Sequence, residues 1–200
     1  LGGGSLELAL GRGPKLDLAA SLKLGALRMT ERFFAGGPAT PKEFRKLVRH
    51  VRKHLDPLAR RIRRAKPQAF VGTSGTILAL GRLACELETG ERPRDLHHRK
   101  VSIESLREVV QRLSRLDPKQ RQQVPGLDRR RADIIVAGGI VLVTALDRVG
   151  AREIVLCEWA LREGLLIDYI GRHREDLARA QEIPDPRRRS VLEMVERYRH

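Results

Sequence analysis

A glycine-rich turn that leads directly into an alternating strand pattern constrains this chain most strongly. The run Gly2–Ser5 precedes Leu6–Leu10, where apolar and polar residues alternate with a period of two. This alternation predicts a half-buried strand. Consecutive glycines let a backbone turn tightly and direct its N–H groups at an anion. A flexible linker is also rich in glycine and serine, but it needs no alternating leucines after it.

The next segments extend the strand pattern. After the turn Gly11–Pro14, residues Leu16–Leu24 again alternate with a period of two, which predicts a second strand paired with the first. Ala26–Thr30 follows Gly25 and is interpreted as a third strand, so the segment predicts a β-meander. A phosphate-binding glycine turn ordinarily follows a strand, and none precedes Leu1. We therefore expect the sequence to be part of a longer phosphate-handling protein.

A second glycine-rich turn joins a strand to a helix. Ala69–Val71 predicts a short buried strand, and the run Gly72–Thr76 leads from it into a helical pattern that continues to Leu87. The first turn of such a helix presents unpaired N–H groups and the positive end of the helix dipole to an anion. The run lacks the lysine of a Walker A motif, which excludes a P-loop site. A tight turn capped by hydroxyl groups, without a ligand, is the alternative interpretation.

The remaining pattern predicts helices and one more strand. A capping box at Thr40–Glu43 begins a long helix, and Arg131–Leu146 is apolar on most sides, which predicts a buried helix. Glu153–Cys157 is typical of a strand and Trp159–Ile170 of a closing helix, with Trp159 in the core. Strands and helices that alternate after a meander indicate an α/β fold with a mixed sheet.

Charge restricts the class of partner. The chain has 40 Lys and Arg residues against 25 Asp and Glu, a net charge of +15, which favours an anion such as nucleic acid, polyphosphate or a nucleotide. Eleven of these cations lie between Lys42 and Lys66, a pattern that also fits a solvated helix face. Four Phe, two Tyr and one Trp offer few platforms for base stacking. Nucleic acid is therefore not the partner that we expect.

The sequence gives little support for a membrane-spanning segment or for a redox role of its cysteines. No run of about 18 apolar residues occurs, so we predict no membrane-spanning segment and no membrane partner. Cys85 and Cys157 lie in apolar segments without metal-ligand spacing. We interpret both as reduced core residues of a cytoplasmic protein.

Five short segments together identify a family. In chain order they are LGGGSLEL, SLKLGALRMTERF, FVGTSGTI, VPGLDRRRADIIVAGG and WALREGLL. They resemble, in the same order, segments of the Ppx/GppA family of exopolyphosphatases and guanosine pentaphosphate phosphatases. The first is similar to the family motif Asp-Ile-Gly-Gly-Gly-Ser-Thr-Glu, with Leu6 in place of the threonine. RRRSVLEMVERYRH resembles the start of the helical HD-like domain of longer members.

The resemblance implies a fold and a domain organisation. We expect an α/β domain of the actin-like, ribonuclease H-like fold, which belongs to the acetate and sugar kinase/Hsp70/actin superfamily. It would contain a mixed sheet of about five strands with helices on both faces. Residues 1–172 would form the second α/β domain of a two-lobed phosphatase. Residues 173–200 would form a linker and the start of a helical, HD-like extension.

The resemblance also implies an activity. Family members release the terminal phosphate of inorganic polyphosphate, or the 5′-γ-phosphate of guanosine pentaphosphate, a stringent-response nucleotide. They usually require Mg²⁺, use a first-domain glutamate as the base that activates water, and are dimers in full length. We therefore expect this chain to bind phosphate weakly by itself and to hydrolyse nothing. The choice between the two substrates stays open.

Candidate site residues follow from both turns and from the resemblance. The candidates for binding phosphate are Gly2, Gly3, Gly4, Ser5, Gly72, Thr73, Ser74, Gly75, Thr76 and Arg131. Glu7 lies on the same strand face as Ser5 and is the candidate catalytic residue and Mg²⁺ ligand. Leu6, which replaces the threonine of the family motif, points to the opposite face of the strand. The replacement therefore removes the threonine hydroxyl but does not obstruct the Glu7 side chain. The alternative interpretation is that Glu7 and Arg131 are exposed surface residues that do not contact a substrate.

Two other functions compete with hydrolysis. One is a basic nucleic-acid-binding module, which the net charge favours and the scarcity of aromatic residues disfavours. The other is a non-catalytic scaffold that keeps the fold and senses polyphosphate. Both retain an anion-binding surface and lack phosphate release.

Overall fold

The first two strands form a separate hairpin. In a computed structural model that describes residues 1–34, 38–174, 178, 181 and 185–197, strand β1 (Leu6–Arg12) pairs antiparallel with β2 (Lys15–Leu22). The connecting turn places Gly13 at φ 55°, a left-handed conformation that glycine adopts without strain. Leu6 and Leu18 point to the core. The alternation predicted from the sequence is therefore confirmed for both strands.

The predicted third strand is wrong. Ala26–Phe33 forms helix α1, and Thr30 Oγ1 donates a hydrogen bond to the Ala26 carbonyl oxygen at 2.8 Å. A strand would place Leu27 and Met29 on one face, but Leu27 is exposed whereas Ala26 and Met29 are fully buried. This three-residue spacing matches a helix, and it packs α1 against a central helix. The first segment is therefore a hairpin followed by a helix, not a meander.

Four helices pack against a central one. Helix α2 (Pro41–Ala65) begins with the predicted capping box, in which the Thr40 and Glu43 side chains each bind the other's backbone N–H. The helices that follow are α3 (Gly75–Thr89), α4 (Ile103–Ser114), α5 (Pro118–Gln122) and α6 (Ile135–Val149). Thirteen of the fifteen residues of α6 are buried, which confirms the predicted buried helix. Helices α1, α2, α3 and α4 all pack against it.

The other three strands form a mixed sheet. Its order is β3 (Val71–Thr73), β5 (Glu153–Cys157) and β4 (Lys100–Ser102). Strand β5 is parallel to β3 and antiparallel to β4, and α3 packs against all three. The described strands are thus five, as expected, but they divide into sheets of two and three. Strand β3 also begins two residues later than predicted, with its Val71 side chain exposed rather than buried.

The chain divides into two compact units after Glu158. The second unit, Trp159–His200, contains α7 (Leu161–Arg172) and α8 (Pro186–Arg197). Trp159, predicted in the core, is 54% exposed, because no described residue of α7 provides a buried face for it to join. The expected domain boundary at residue 172 stays a prediction, and part of the expected linker lies outside the described residues. None of the described helices is long and apolar enough to cross a membrane.

Glu88 links α3 to the start of α4. Its carboxylate accepts hydrogen bonds from the Ser102 amide at 3.0 Å and the Ser102 hydroxyl at 2.8 Å. Burial raises the pKa of Glu88, but hydrogen bonds from Ser105 and Ser102 outweigh it, so the pKa lies below its usual value. A carboxyl with a depressed pKa stabilises the fold above its unfolded-state pKa, and this stabilisation disappears as the pH falls through the folded-state pKa.

Replacing Glu88 with glutamine is therefore expected to reduce stability at neutral pH by less than about 1 kcal/mol, because the site is largely exposed. The difference from the wild type should shrink as the pH falls below about 4. Urea unfolding at pH 7, 5 and 3 measures it, with Glu91→Gln, a nearby exposed carboxylate, as the control. A difference that is the same at all three pH values would contradict this assignment.

Candidate phosphate-binding site

The first glycine turn is fastened to α1 through its carbonyl groups. Gly2 N–H donates to the Ser5 carbonyl at 2.9 Å and closes the turn. The Gly2 carbonyl accepts from the Ala26 amide at 2.9 Å, and the Gly3 carbonyl from the Arg28 amide at 3.2 Å. Arg28 Nε donates to the Gly4 carbonyl at 3.1 Å. Among the described residues the Gly3 and Gly4 amides have no acceptor, which leaves both donors available to an anion.

Gly25 allows this turn to approach α1. A Cβ atom at Gly25 would collide with the Gly3 carbonyl oxygen, the Gly4 carbonyl carbon and the Ser5 nitrogen. Gly25 has φ −67°, which any residue adopts. A glycine is needed here because there is no room for a side chain, and not because the backbone conformation requires one. The turn can therefore lie where it does because residue 25 has no side chain.

The second turn contains the most unusual backbone conformation of the site. Ser74, the N-cap of α3, has φ 103° and ψ 155°, a region that non-glycine residues rarely occupy and that costs of order 1–3 kcal/mol. Its hydroxyl donates to the Leu1 carbonyl at 2.6 Å. Leu1 directly precedes the first glycine turn, so this bond brings together two turns that lie about seventy residues apart in sequence.

The residues flanking Ser74 point in different directions. Thr73 is exposed and Gly72 is buried, where a Cβ would collide with Ile154. The Thr76 side chain is only 3% exposed, and its Cγ2 would lie 2.6 Å from a Cβ added to Gly138. The Thr76 hydroxyl therefore belongs to the core, and this residue can offer an anion only its backbone N–H in the first turn of α3.

Arg131 supplies a cation to the second turn. It ends a 3₁₀ turn, Arg129–Arg131, that is capped by the Asp128 side chain, which accepts from the Arg130 amide at 2.9 Å. The Arg131 guanidinium lies directly over Gly75, so that a Cβ there would overlap it. Among the described residues, no carboxylate forms an ion pair with Arg131. A guanidinium and a helix N-terminus thus meet without an anionic partner, an arrangement that favours a bound anion.

The 3₁₀ turn rests on a buried arginine that the sequence pattern did not single out. Arg121 is 5% exposed; its guanidinium donates to the Ala132 carbonyl at 2.8 Å and to the Leu116 carbonyl at 3.2 Å. Burial lowers the pKa of Arg121, and the charges of Asp133 and Asp117 raise it. The Asp133 and Asp117 carboxylates thus offset part of the effect of burying the Arg121 charge.

Glu7 lies on β1 at the rim of the first turn. Its carboxylate accepts hydrogen bonds from the hydroxyls of Ser5 and, at 3.5 Å, Ser21. Leu6 is 4% exposed and Glu7 is exposed, so the opposite orientation of these neighbours is confirmed. Glu7 and Thr73 line the same cleft, of about 1260 Å³, between the hairpin and the segment that leads into β3. This carboxylate therefore faces a cleft that also borders Thr73 of the second turn.

The donor atoms around Glu7 suit a hard cation. Carboxylate and hydroxyl oxygens are the ligands that Mg²⁺ prefers, usually one or two carboxylates together with substrate phosphates and water. Within the described ranges no group of three His, Cys, Asp or Glu could hold a metal ion. Glu7 therefore fits as a single protein ligand of a phosphate-bound Mg²⁺ and does not form a closed metal centre.

Known proteins are similar to this chain in sequence and in fold. Exopolyphosphatase 1 of Mycobacterium leprae is 30% identical over 182 residues, 90% of this chain and 53% of that protein. An uncharacterized protein of Streptomyces coelicolor is 42% identical over 172 residues, 85% of this chain and 51% of its own. The crystal structure of an Aquifex aeolicus member of the Ppx/GppA family superposes with a TM-score of 0.73 at 25% identity, covering 86% of this chain and 55% of that one.

The chain folds as an actin-like α/β domain, the class of these structural neighbours. A model of the Ppx/GppA phosphatase family matches residues 1–173. The chain belongs to the Ppx/GppA phosphatase family, as the motifs predicted. It spans about half the length of the curated relatives that it matches.

Proposed function

We propose that this chain forms the phosphate-binding side of a phosphohydrolase that releases terminal phosphate from inorganic polyphosphate or from guanosine pentaphosphate. The observation that carries the proposal is the hydrogen bond from Ser74 to Leu1, which brings the two glycine turns together, with the Arg131 guanidinium against the second turn. Family membership and the relative named exopolyphosphatase support it.

The chemistry requires positioning and charge more than covalent participation. In the reaction a water oxygen bonds to the terminal phosphorus, the bridging P–O bond breaks, and the water proton passes to a base. The Gly3 and Gly4 amides and the first turn of α3 bind oxygens of the transferred phosphoryl group. Arg131 balances the negative charge that develops there. The base is assigned, as the resemblance implies, to a part of the whole protein other than this chain.

Glu7 is the proposed metal ligand. The Ser5 and Ser21 hydroxyls hold its carboxylate beside the cleft, where it would hold a Mg²⁺ ion. A bound ion would supply positive charge to the phosphate groups. The chain's own part is to fix the carboxylate next to the first turn and to align the substrate with its amides.

The test is tripolyphosphate binding with Arg131 removed. Arg131→Gln is expected to weaken binding by about tenfold to a hundredfold, since hydrogen bonds to a charged group contribute about 1.5–3 kcal/mol. Isothermal titration calorimetry on the 200-residue chain measures it. The matched control is Arg130→Gln, the preceding residue of the same turn, whose exposed side chain should change the affinity by less than about twofold.

Equal losses from Arg130→Gln and Arg131→Gln would show that the chain binds the anion by general charge and would overturn the site. A phosphate-release assay with long-chain polyphosphate accompanies the titration. Binding without release is the expected result. Release by the 200 residues alone would contradict the assignment of the base outside this chain.

A further inference from the structure

One face of α2 carries two groups of cations, one on each side of Asp56, which together are here called the basic ribbon. At 3.6 residues per turn its members fall within an arc of about 120°. They are Lys42, Arg45, Lys46, Arg49, Arg52, Lys53, Arg60, Arg63 and Arg64, and all are exposed. The opposite face of α2 buries its apolar residues and packs against α6. The ribbon therefore faces solvent along the whole helix, over about 33 Å.

In the part of the chain that the structure describes, no ion pair balances the charge of the ribbon. Asp56 lies within the same arc, but its carboxylate accepts from Arg148 Nε of α6 at 2.7 Å. Like charges three and four residues apart destabilise a helix. An anionic partner would remove this cost, and a second copy of a chain with net charge +15 does not provide one.

The C-terminal end of the ribbon lies next to the cleft that Glu7 lines. Ala65, Lys66 and Pro67, directly after the ribbon, line the same cleft as Glu7 and Thr73. The helix is fixed there because Arg61 donates to the Asp17 carbonyl of β2 at 3.1 Å. A chain-like anion whose end lies in the cleft can therefore continue past Lys66 onto the exposed cations of α2.

We propose that the basic ribbon binds the body of a long linear polyphosphate whose terminal phosphate occupies the site formed by the two glycine turns. This rests on the proposed function and selects the longer of its two substrates, because guanosine pentaphosphate is too short to follow a helix for about 33 Å. Phe44 is the only Phe, Tyr or Trp on α2, and it is half-buried. The ribbon thus offers charge without base-stacking platforms, which favours polyphosphate over nucleic acid.

The test compares long and short polyphosphate on one protein. The ribbon variant combines Arg45→Gln, Arg49→Gln, Arg52→Gln and Arg60→Gln in the 200-residue chain. The matched control removes four exposed cations elsewhere, with Arg94→Gln, Arg115→Gln, Lys119→Gln and Arg152→Gln. Binding of fluorescently labelled polyphosphate of about a hundred phosphates is measured by anisotropy at several salt concentrations, and tripolyphosphate by calorimetry.

The ribbon variant is expected to bind long polyphosphate at least about tenfold more weakly. Its slope of log affinity against log salt should fall by about 3, as expected when four cations no longer release counterions. Its affinity for tripolyphosphate should stay within about twofold of the wild type, since the turns are unchanged. Arg131→Gln should show the reverse pattern, with a large loss of affinity for tripolyphosphate and a smaller change in the salt slope for long polyphosphate. The two sets of measurements therefore distinguish an error in the proposed site from an error in the proposed ribbon.

Three outcomes would overturn the proposal. The ribbon variant could bind long polyphosphate with unchanged affinity and salt slope. The matched control could lose as much as the ribbon variant, which would show a diffuse charge effect. Single-stranded RNA or duplex DNA of equal charge could bind more tightly than polyphosphate through the same four residues, which would identify nucleic acid as the partner.

Discussion

The Gly25→Ala substitution is expected to lower the affinity for tripolyphosphate more than about tenfold and to lower the free energy of unfolding by about 3 kcal/mol. The added methyl group collides with backbone atoms of three consecutive residues, Gly3, Gly4 and Ser5. Backbone atoms cannot rotate away as the end of a flexible side chain can. Either the first glycine turn moves off α1 or α1 moves off the turn. Both movements break the hydrogen bonds that hold the turn's carbonyls.

Calorimetry and urea unfolding separate the two parts of this prediction. The matched control is Gly164→Ala, at a helical position where a Cβ meets nothing within 4 Å. That change should leave binding as it is and stabilise α7 slightly, since alanine favours a helix by about 1 kcal/mol over glycine. A Gly25→Ala chain that binds tripolyphosphate like the wild type would show that the turn's position against α1 does not matter for the anion.

Features encoded within a few residues were predictable. The capping box at Thr40 depends on one side chain and the third residue of its helix, so it is visible in the sequence and present in the structure. The burial of α6 follows from the run Arg131–Leu146, which has almost no polar face. The two glycine turns could be identified for the same reason, since each is one short continuous segment.

Short or unpartnered segments were not predictable. Ala26–Thr30 is too short to separate a period of two from a period of 3.6, and only its contact with α6 identifies it as a helix. Trp159 was expected in the core because large aromatic residues are highly buried on average. Whether Trp159 is buried depends on the residues that surround α7, and the local sequence pattern does not reveal those residues.

The contacts that assemble the site join distant residues. Sequence motifs named Ser74 and Arg131, but nothing local reveals that Ser74 would bind Leu1 or that Arg131 would lie on Gly75. Gly25 and Arg28, which fasten the first turn, lie in the family-like segment SLKLGALRMTERF, but nothing in that segment reveals that they contact the turn. Positioning residues of this kind are recognised by their partners, and partners appear only in three dimensions.

Arg121 is the extreme case, since a buried arginine in the polar run Lys119–Gln123 resembles a surface residue in sequence. Arg121→Ala is expected to reduce stability by about 3 kcal/mol, because the Ala132 and Leu116 carbonyls lose their charged donor. Because Ala132 follows Arg131 directly, the tripolyphosphate affinity should also fall, by about tenfold. Arg115→Gln, an exposed neighbour, is the control and should change neither quantity.

A double-mutant cycle distinguishes positioning from general destabilisation. If Arg121 acts on the anion through Arg131, then Arg121→Ala adds little to the loss in binding once Arg131→Gln is present, whereas its effect on unfolding remains. Titrations at a temperature well below the unfolding midpoint compare folded molecules only. Independent, additive losses in binding would contradict the link. Coupled losses would mean that the buried guanidinium holds the 3₁₀ turn in the position that brings Arg131 to the N-terminus of α3.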